Sequence, residues 1–421
     1  MKVFKFGGAS VKDAEGVKNI LQVLSNFEND QLIIVLSAMG KTTNGLEAVV
    51  QSYFKNDGNT IIHLKKVGDF HFALIDELFA SETEDIKYEI DTLLDRLKNK
   101  LAKPSSNNFD FEYDQIVSYG EIFCTSIVAH YFNKCNKDTI LWDARELIST
   151  NNNYREGIVN WEKTTDNIQS KLKGIQKDYF PLVVTQGFIG STADNQTTTL
   201  GREGSDYSAA IFANATNAES VTIWKDVAGM LNADPKYFSA AIKLDKISYQ
   251  EAIELAYYGA TVIHPKTLKP LQSKLIPLYV KSFINPLAAG TVIQEDASND
   301  ALMPSYIFKV NQILLSIKPR DFSFIVEENL SHIFNLFAQS KVKINIMQNS
   351  ALNFSVCADM DEFRIPKLVD ALKEEYEILY NTNCELLTIR HYNDSILKEL
   401  TLGKEVLLTQ LSRSTARVVV R

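Results

Sequence analysis

Residues 3–10 read VFKFGGAS, and the chain runs on through the amphipathic stretch VKNILQVLSNF at 17–27 into the apolar run QLIIVLSA at 31–38. A short run rich in valine and phenylalanine, a glycine pair, a helix-period segment from Val11 to Phe27 and a second apolar run spell strand, turn, helix and strand. Two strands joined through a helix are a parallel pair, the unit from which open α/β sheets are built. The same rhythm returns as PLVVTQGF at 181–188, YSAAIFANA at 207–215 and SVTIWKDV at 220–227. The fold class is therefore α/β, with a largely parallel sheet covered by helices.

The stretch from Leu46 to Asp114 places Leu, Ile and Phe at three- and four-residue intervals and reads as a helical insertion or lid. After Gly290-Thr291-Val292-Ile293 comes QEDASND, a polar linker. Beyond it, apolar runs such as ILLSIKP (313–319) and CELLTIRHY (384–392) alternate with helical ENLSHIFNLFAQS (328–340), IPKLVDALKEEY (365–376) and DSILKELTL (394–402). Strand-helix-strand-strand units of this size predict two small α+β modules. The expected division is a first domain over 1–295 and a second region over 300–421.

The 421 residues are 45% hydrophobic, enough to fill two or three cores. A formal charge of -8, with acids and bases interleaved, argues against a nucleic-acid partner. Cys124, Cys135, Cys357 and Cys384 stand far apart without histidines at ligand spacing, so they read as reduced core thiols and no metal site is expected. The opening apolar stretch is too short for a signal segment, and no run approaches a membrane span, so the expectation is a cytoplasmic protein without a membrane partner.

Several stretches carry chemistry. The turn Gly7-Gly8-Ala9-Ser10 after Lys5 can aim backbone N–H groups at a phosphate, or it can be an ordinary β-to-α turn. VLSAMGKTTN at 35–44 repeats the design, with Ser37 and Thr43 as hydroxyl donors; the alternative is a serine-rich turn. Two such loops at successive strand ends would share one rim of a parallel sheet, where ligands bind in open α/β folds. The most informative stretch is TTTLGREGSDYS at 197–208, which sets Arg202, Glu203, Gly204, Ser205 and Asp206 just before a small-residue helix. It reads as an anion-binding loop, its planar guanidinium suited to the α-carboxylate of an amino acid. Glu121 opens a helix, either compensating its dipole or receiving an ammonium. The loop Trp224 to Pro235 either contacts a nucleotide or merely turns at Asp234-Pro235, and His264 before Pro265 reads as structural.

In this order the segments resemble the aspartate kinases of the amino-acid kinase family. The family's KFGG(T/S)S opening matches Lys5 to Ser10, and its SAxxxxTN loop matches Ser37 to Asn44. Its S-x-GE matches Ser118 to Glu121, TQGFIG matches Thr185 to Gly190, and TTTLGRGGSDY(T/S)A matches Thr197 to Ala209. The W-x-DV-x-G…DP and F/Y-GA-x-V-x-HP segments match Trp224 to Pro235 and Tyr258 to Pro265. The tail around Met347-Gln348-Asn349-Ser350 resembles the family's paired ACT modules, and no Rossmann fingerprint of a fused dehydrogenase follows.

The resemblance implies a three-layer sandwich on a mainly parallel sheet, the amino-acid kinase fold, followed by ferredoxin-like α+β ACT modules. It implies ATP with Mg²⁺, L-aspartate as acceptor, and 4-phospho-L-aspartate as the product that enters lysine, threonine and methionine synthesis. It implies lysine or threonine as a feedback ligand, and a homodimer or higher homo-oligomer formed through the ACT modules. Lys5, Asp206 and Lys225 become the expected catalytic residues, with Gly7, Gly8, Ser10, Ser37 and Gly204 around the phosphates. Thr43, Glu121, Arg202 and Ser205 would hold aspartate. Lys225, Asp226, Leu231, Asp234, Lys236 and Thr261 would meet the nucleotide, and Met347, Gln348, Asn349 and Ser350 the effector. Four positions depart from the family pattern: Ala9 for Thr, Glu203 for Gly, Leu231 for Tyr, and Thr261 for a phosphate-binding Lys. Phosphoryl transfer between anions needs positive charge, so Lys225 is expected to supply what Thr261 lacks. The competing expectation is a catalytically silent, amino-acid-sensing subunit, which the intact Lys5, Arg202 and Asp206 oppose.

Overall fold

The computed structural model describes residues 1–175, 179–260, 263–321 and 323–421, and it divides into two compact units. The first holds Met1–Met230, Lys243–Ile253 and the chain on to Ala297. Its opening is the strand-helix-strand unit read from the sequence: β1 (Lys2–Phe6), α1 (Ala14–Leu24) and β2 (Leu32–Leu36), with Lys5 opposite Val35 in a parallel register. The helix begins at Ala14 rather than Val11, because the Asp13 carboxylate accepts the Gly16 N–H at 2.8 Å and caps it.

The helical block follows as α2 (Thr42–Lys55), α3 (Thr60–Phe79), α4 (Glu84–Leu101) and α5 (Phe109–Val117), leading into α6 (Tyr119–Lys134). Leu46, Leu64, Val67, Leu74, Ile90 and Leu94 bury the periodic stripes of these helices in the core shared with β1 and β2. Next come β3 (Thr139–Trp142), α7 (Ala144–Leu147), α8 (Trp161–Lys173) and β4 (Leu182–Gln186). The antiparallel pair β5 (Ile189–Ser191) and β6 (Thr197–Thr199) precedes α9 (Gly204–Thr216) and β7 (Ser220–Lys225). The elements β8 (Lys246–Ser248), α10 (Tyr249–Tyr258), α11 (Pro265–Gln272), β9 (Leu278–Ser282) and β10 (Thr291–Gln294) complete the series. The His264 side chain accepts the Lys266 N–H and caps α11.

The main sheet runs β3-β4-β2-β1-β7-β9-β10-β8, parallel except where β10 returns against β9. Central strands of such a sheet are covered on both faces, which is why β2 reads as an unbroken apolar run and β7 is buried from Ser220 to Trp224. Because β1, β2, β4 and β7 are mutually parallel, the loops that follow them open on the same rim. Trp224 anchors this centre, buried at 1% exposure and stacked on Phe6 with 5.9 Å between ring centroids.

The second unit holds Ser298–Arg421 together with Leu231–Ile242 and a stretch beginning at Glu254. Its chain order is β11 (Ser305–Pro319), α12 (Glu327–Gln339), β12 (Ile344–Asn349), β13 (Phe354–Asp359), α13 (Arg364–Lys373), β14 (Tyr376–Arg390), α14 (Asp394–Thr401), β15 (Val406–Leu411) and β16 (Thr415–Val420). These strands form one six-stranded antiparallel sheet, β12-β13-β11-β14-β16-β15. Two α+β modules are present, but they share strands. The halves of β11 and β14 on one side of a bulge between Lys309 and Gln312 serve one module, and the other halves serve its neighbour.

Of the cysteines, Cys124, Cys357 and Cys384 are buried free thiols, whereas Cys135 is exposed where the chain leaves α6. The expectation of four core thiols is corrected at that position, which lies at a helix terminus rather than on its buried stripe. Among the described residues no helix is long and apolar enough to cross a membrane.

Candidate active site

The rim loops are fastened to one another by backbone. Ser37, following β2, donates its N–H to Phe6 O at 3.2 Å, and Gly40 donates to Gly8 O at 3.2 Å. A Cβ on Gly8 would stand 2.9 Å from Ala38 O, so only glycine lets these two loops lie against each other. Gly187, after β4, donates to Leu36 O at 2.8 Å, and a Cβ there would meet Ser205 at 2.6 Å. The loop before α9 is thus packed tightly on the loop after β4.

Together these loops surround a cavity of about 820 Å³. Lys5, Ser37, Thr43, Glu121, Arg202, Gly204, Ser205, Asp206 and Lys225, nine of the expected site residues, line it. Lys5 Nζ lies 2.6 Å from Asp206 Oδ1, and Lys225 Nζ lies 3.9 Å from Asp206 Oδ2. Asp206 occupies the first turn of α9, where the positive end of the helix dipole favours a carboxylate. One acid therefore holds two ammonium groups at the mouths of β1 and β7. Arg202 is exposed to the cavity and makes no hydrogen bond or ion pair among the described residues.

Glu121 is the most perturbed group. It is 3% exposed, its Oε1 accepts the Ala38 N–H at 3.2 Å, and its buried Oε2 has no hydrogen-bond partner. Burial pushes its carboxyl up to about 8, opposed by the Ala38 and Glu121 N–H groups and by the Lys5 charge. A buried carboxylate with one empty oxygen, facing a cavity, is complementary to a cation that can donate to it. Dipole compensation, the other reading of this residue, leaves that oxygen unexplained.

Glu203, at the position where the family pattern has glycine, adopts φ 53° and places a second unpartnered carboxylate oxygen, Oε2, in the wall. Burial raises its carboxyl and the Asp206 charge adds to this, against Lys225, Arg202 and Lys5. Three non-glycine residues lining the cavity, Arg155, Phe188 and Glu203, are in the left-handed region, the kind of strain that gathers at functional sites.

Other expected residues stand elsewhere. Gly7 and Gly8 close the β1 turn with Ser10, whose N–H donates to Gly7 O at 2.9 Å; Ser10 is buried and does not line the cavity. Asp226 lies one residue beyond β7 and off the cavity wall. Leu231, Asp234 and Lys236 belong to the second unit, where Asp234 accepts the Lys236 N–H at 2.9 Å in a tight turn. Thr261 lies outside the described residues. Gln348, Asn349 and Ser350 line a separate hollow of about 270 Å³ with Asn353, Ser355, Leu407, Leu408 and Thr409. Met347 does not line it; its carbonyl accepts the Gln410 amide at 3.2 Å.

Reading the sequence missed one wall. Tyr113, residues 153–156, Phe188 and Thr199 also line the cavity. Asp114, fully buried, ties them: Oδ2 accepts the N–H groups of Arg155 at 2.8 Å and Thr199 at 2.9 Å, and Oδ1 accepts the Thr199 hydroxyl at 2.7 Å. Burial pushes its carboxyl up to about 6, against these donors. Phe188 and Thr199 sit inside quoted motifs and could have been found there. The loop 151–157 has no periodicity to flag it.

Among the described residues no cluster of three or more His, Cys, Asp or Glu could hold a metal ion by itself. A magnesium ion would be held chiefly by nucleotide phosphates, with the carboxylates of Asp206 and Glu203 within the same wall; this fits an ion that keeps most of its water and phosphate ligands.

The amino acid kinase family profile matches residues 1–282. The chain is similar to the lysine-sensitive aspartokinase 3 of Escherichia coli, with 30% identity over 358 residues, 85% of this chain and 78% of that one. It is similar to the chloroplastic aspartokinase 3 of Arabidopsis thaliana, with 31% identity over 391 residues, 89% of this chain and 68% of that one. The fold superposes on the crystal structure of E. coli aspartokinase III in complex with lysine and aspartate, with a TM-score of 0.84 and 25% identity over 100% of this chain and 95% of that one.

Proposed function

The chain belongs to the amino acid kinase family, and we infer that it is an aspartate kinase, transferring the γ-phosphoryl group of ATP to the side-chain carboxylate of L-aspartate. The observation that carries the substrate reading is the pairing, in one cavity, of an unsatisfied buried carboxylate at Glu121 with an uncommitted guanidinium at Arg202. An amino acid has one partner for each: its ammonium for Glu121 and its α-carboxylate for Arg202. Thr43 in the first turn of α2 and Ser205 in the first turn of α9 add hydroxyl donors at this end.

The acceptor carboxylate has an ordinary pKa near 3.9 and is already ionised at neutral pH, so attack on phosphorus needs no general base. Catalysis rests on positioning and on neutralising charge. Lys5, oriented by Asp206, supplies a positive charge where β1 meets the rim, and Lys225 supplies another from β7. Lys225 thereby takes the part that the lysine usual at position 261 plays in relatives. When bound, magnesium neutralises the phosphate oxygens of ATP. Ser37, with the backbone around Gly8 and Gly204, frames the phosphate end, and the loop from Asp226 to Lys236 is assigned to the nucleotide by its family pattern.

We assign catalysis to residues 1–295 and regulation to 300–421, in a cytoplasmic homo-oligomer joined through the ACT modules. The hollow at Gln348–Ser350 is the proposed effector site. Its lining offers amides and hydroxyls, and no carboxylate is among its described residues. That chemistry suits the uncharged side chain of threonine better than the ammonium of lysine, although the E. coli relative is lysine-sensitive.

The deciding experiment incubates the full chain with L-aspartate, ATP and Mg²⁺, and traps the acyl phosphate with hydroxylamine, with and without lysine or threonine. Aspartyl hydroxamate is expected, with inhibition by threonine at millimolar concentration. Folded protein that binds ATP and yields no hydroxamate would move the chain to the silent, amino-acid-sensing role.

A further inference from the structure

The mechanism above leaves one cavity-lining cation without a task. Arg155 enters the cavity from the loop between Thr150 and Gly157, with its backbone in the left-handed region at φ 66°. A residue with a Cβ is strained there and glycine is not. The strain is held in place from two sides. The Arg155 N–H donates to Asp114, the buried carboxylate that also binds Thr199, and the Arg155 carbonyl lies 3.2 Å from where a Cβ on Gly201 would stand. Gly201 immediately precedes Arg202, so the two arginines emerge from abutting stretches of backbone.

The side chain is also preset. The guanidinium lies over the ring of Tyr113 at 4.5 Å, and the Tyr113 hydroxyl is pinned to Glu47 at 2.7 Å. Its ion-pair partner among the described residues is Asp110 at 3.3 Å, with side-chain exposures of 47% and 55%. An exposed pair of that kind contributes little and exchanges readily for a better acceptor. A non-glycine residue kept in a glycine conformation, with its charge aimed into the cavity and only weakly engaged, implies that the side chain is used.

We propose that Arg155 is a second guanidinium for the acceptor substrate, sharing the α-carboxylate of aspartate with Arg202. This rests on the aspartate kinase reading. Two planar forks on one carboxylate distinguish it from an amide, which offers a single acceptor oxygen and turns N–H groups toward N–H groups. Arg155 is then a specificity-determining residue: it sets affinity for aspartate and discrimination against aspartate α-amide, while leaving nucleotide binding alone.

The test is steady-state kinetics of the full-length parent, Arg155→Gly and Arg155→Lys, with aspartate and with its α-amide as acceptors. Glycine is the informative change, because it removes the guanidinium and the backbone strain together. We expect Arg155→Gly to melt no lower than the parent and to keep its kcat within about threefold. Its KM for aspartate should rise about ten- to hundredfold, the range of a lost charge-assisted contact, with KM for ATP unchanged. Preference for aspartate over the α-amide should shrink by the same factor, with Arg155→Lys in between. An unchanged KM for aspartate overturns the inference, as does an equal loss with both acceptors, which a purely structural role would give. A parent that forms no aspartyl hydroxamate overturns the aspartate kinase reading as well; an active parent with an unaffected Arg155→Gly overturns this inference alone.

Discussion

If Glu121 receives the substrate ammonium, aspartate binding must depend on pH in a way that follows from its burial. The carboxyl is pushed up to about 8, so without ligand it is mostly protonated at neutral pH and cannot attract a cation. Only the ionised form binds. With that pKa, about 1% of the site is competent at pH 6 and about half at pH 8. KM for aspartate should therefore fall about fiftyfold between pH 6 and pH 8, close to tenfold per unit at the acid end. The substrate ammonium stays protonated through this window. Lys5 and the Cys124 thiol are the titratable groups that interact with Glu121, and burial pushes the thiol well above its usual value. Initial rates of hydroxamate formation at saturating ATP, in constant-ionic-strength buffers from pH 6 to 8.5, give the profile. Glu121→Gln should show a high KM with no such slope. A parent KM that moves less than about threefold, or a slope that survives in Glu121→Gln, would show that the Glu121 carboxylate does not receive the ammonium.

The same carboxyl has a stability signature. Because its folded pKa lies above the unfolded value, the native state holds the extra proton between about 4.5 and 8, and native stability declines as pH rises through that window. In thermal melts without ligand, Glu121→Gln should match the parent near pH 4 and exceed it progressively up to pH 8. Lys225→Thr should lower kcat about ten- to hundredfold with little change in KM for aspartate, as expected for a charge that acts on the phosphoryl group; a loss below about threefold would return the missing charge to some other group. Asp114→Asn, which leaves one of three donors without an acceptor, should destabilise by about 1–3 kcal/mol and lower kcat/KM for aspartate, measured by denaturant titration and initial rates. Glu203→Gly relieves a left-handed non-glycine residue and removes a carboxylate near the phosphates. It should raise Tm and lower KM for ATP.

What the sequence settled alone was what neighbouring residues decide among themselves. Short apolar and β-branched runs marked β1, β2 and β4, and the helical period between them marked α1. Glycines and hydroxyls at strand ends marked the loops carrying Lys5, Ser37, Arg202 and Asp206. Each of those signals is complete within about a dozen residues, the range over which backbone geometry and side-chain periodicity act. Tertiary structure decided the rest. Glu121 could be a dipole-compensating acid until Ala38, 83 positions away, supplied its one hydrogen bond and the core removed its water. Asp114 and Arg155, 41 positions apart, had no pattern to join them before the fold set one on the other. The two C-terminal α+β modules read as separate units, yet β11 and β14 are long enough to serve both, and only strand pairing reveals the sharing. Desolvation, charge pairing and strand register all depend on groups distant in the chain, and the folded core alone fixes their separation and their exclusion from water.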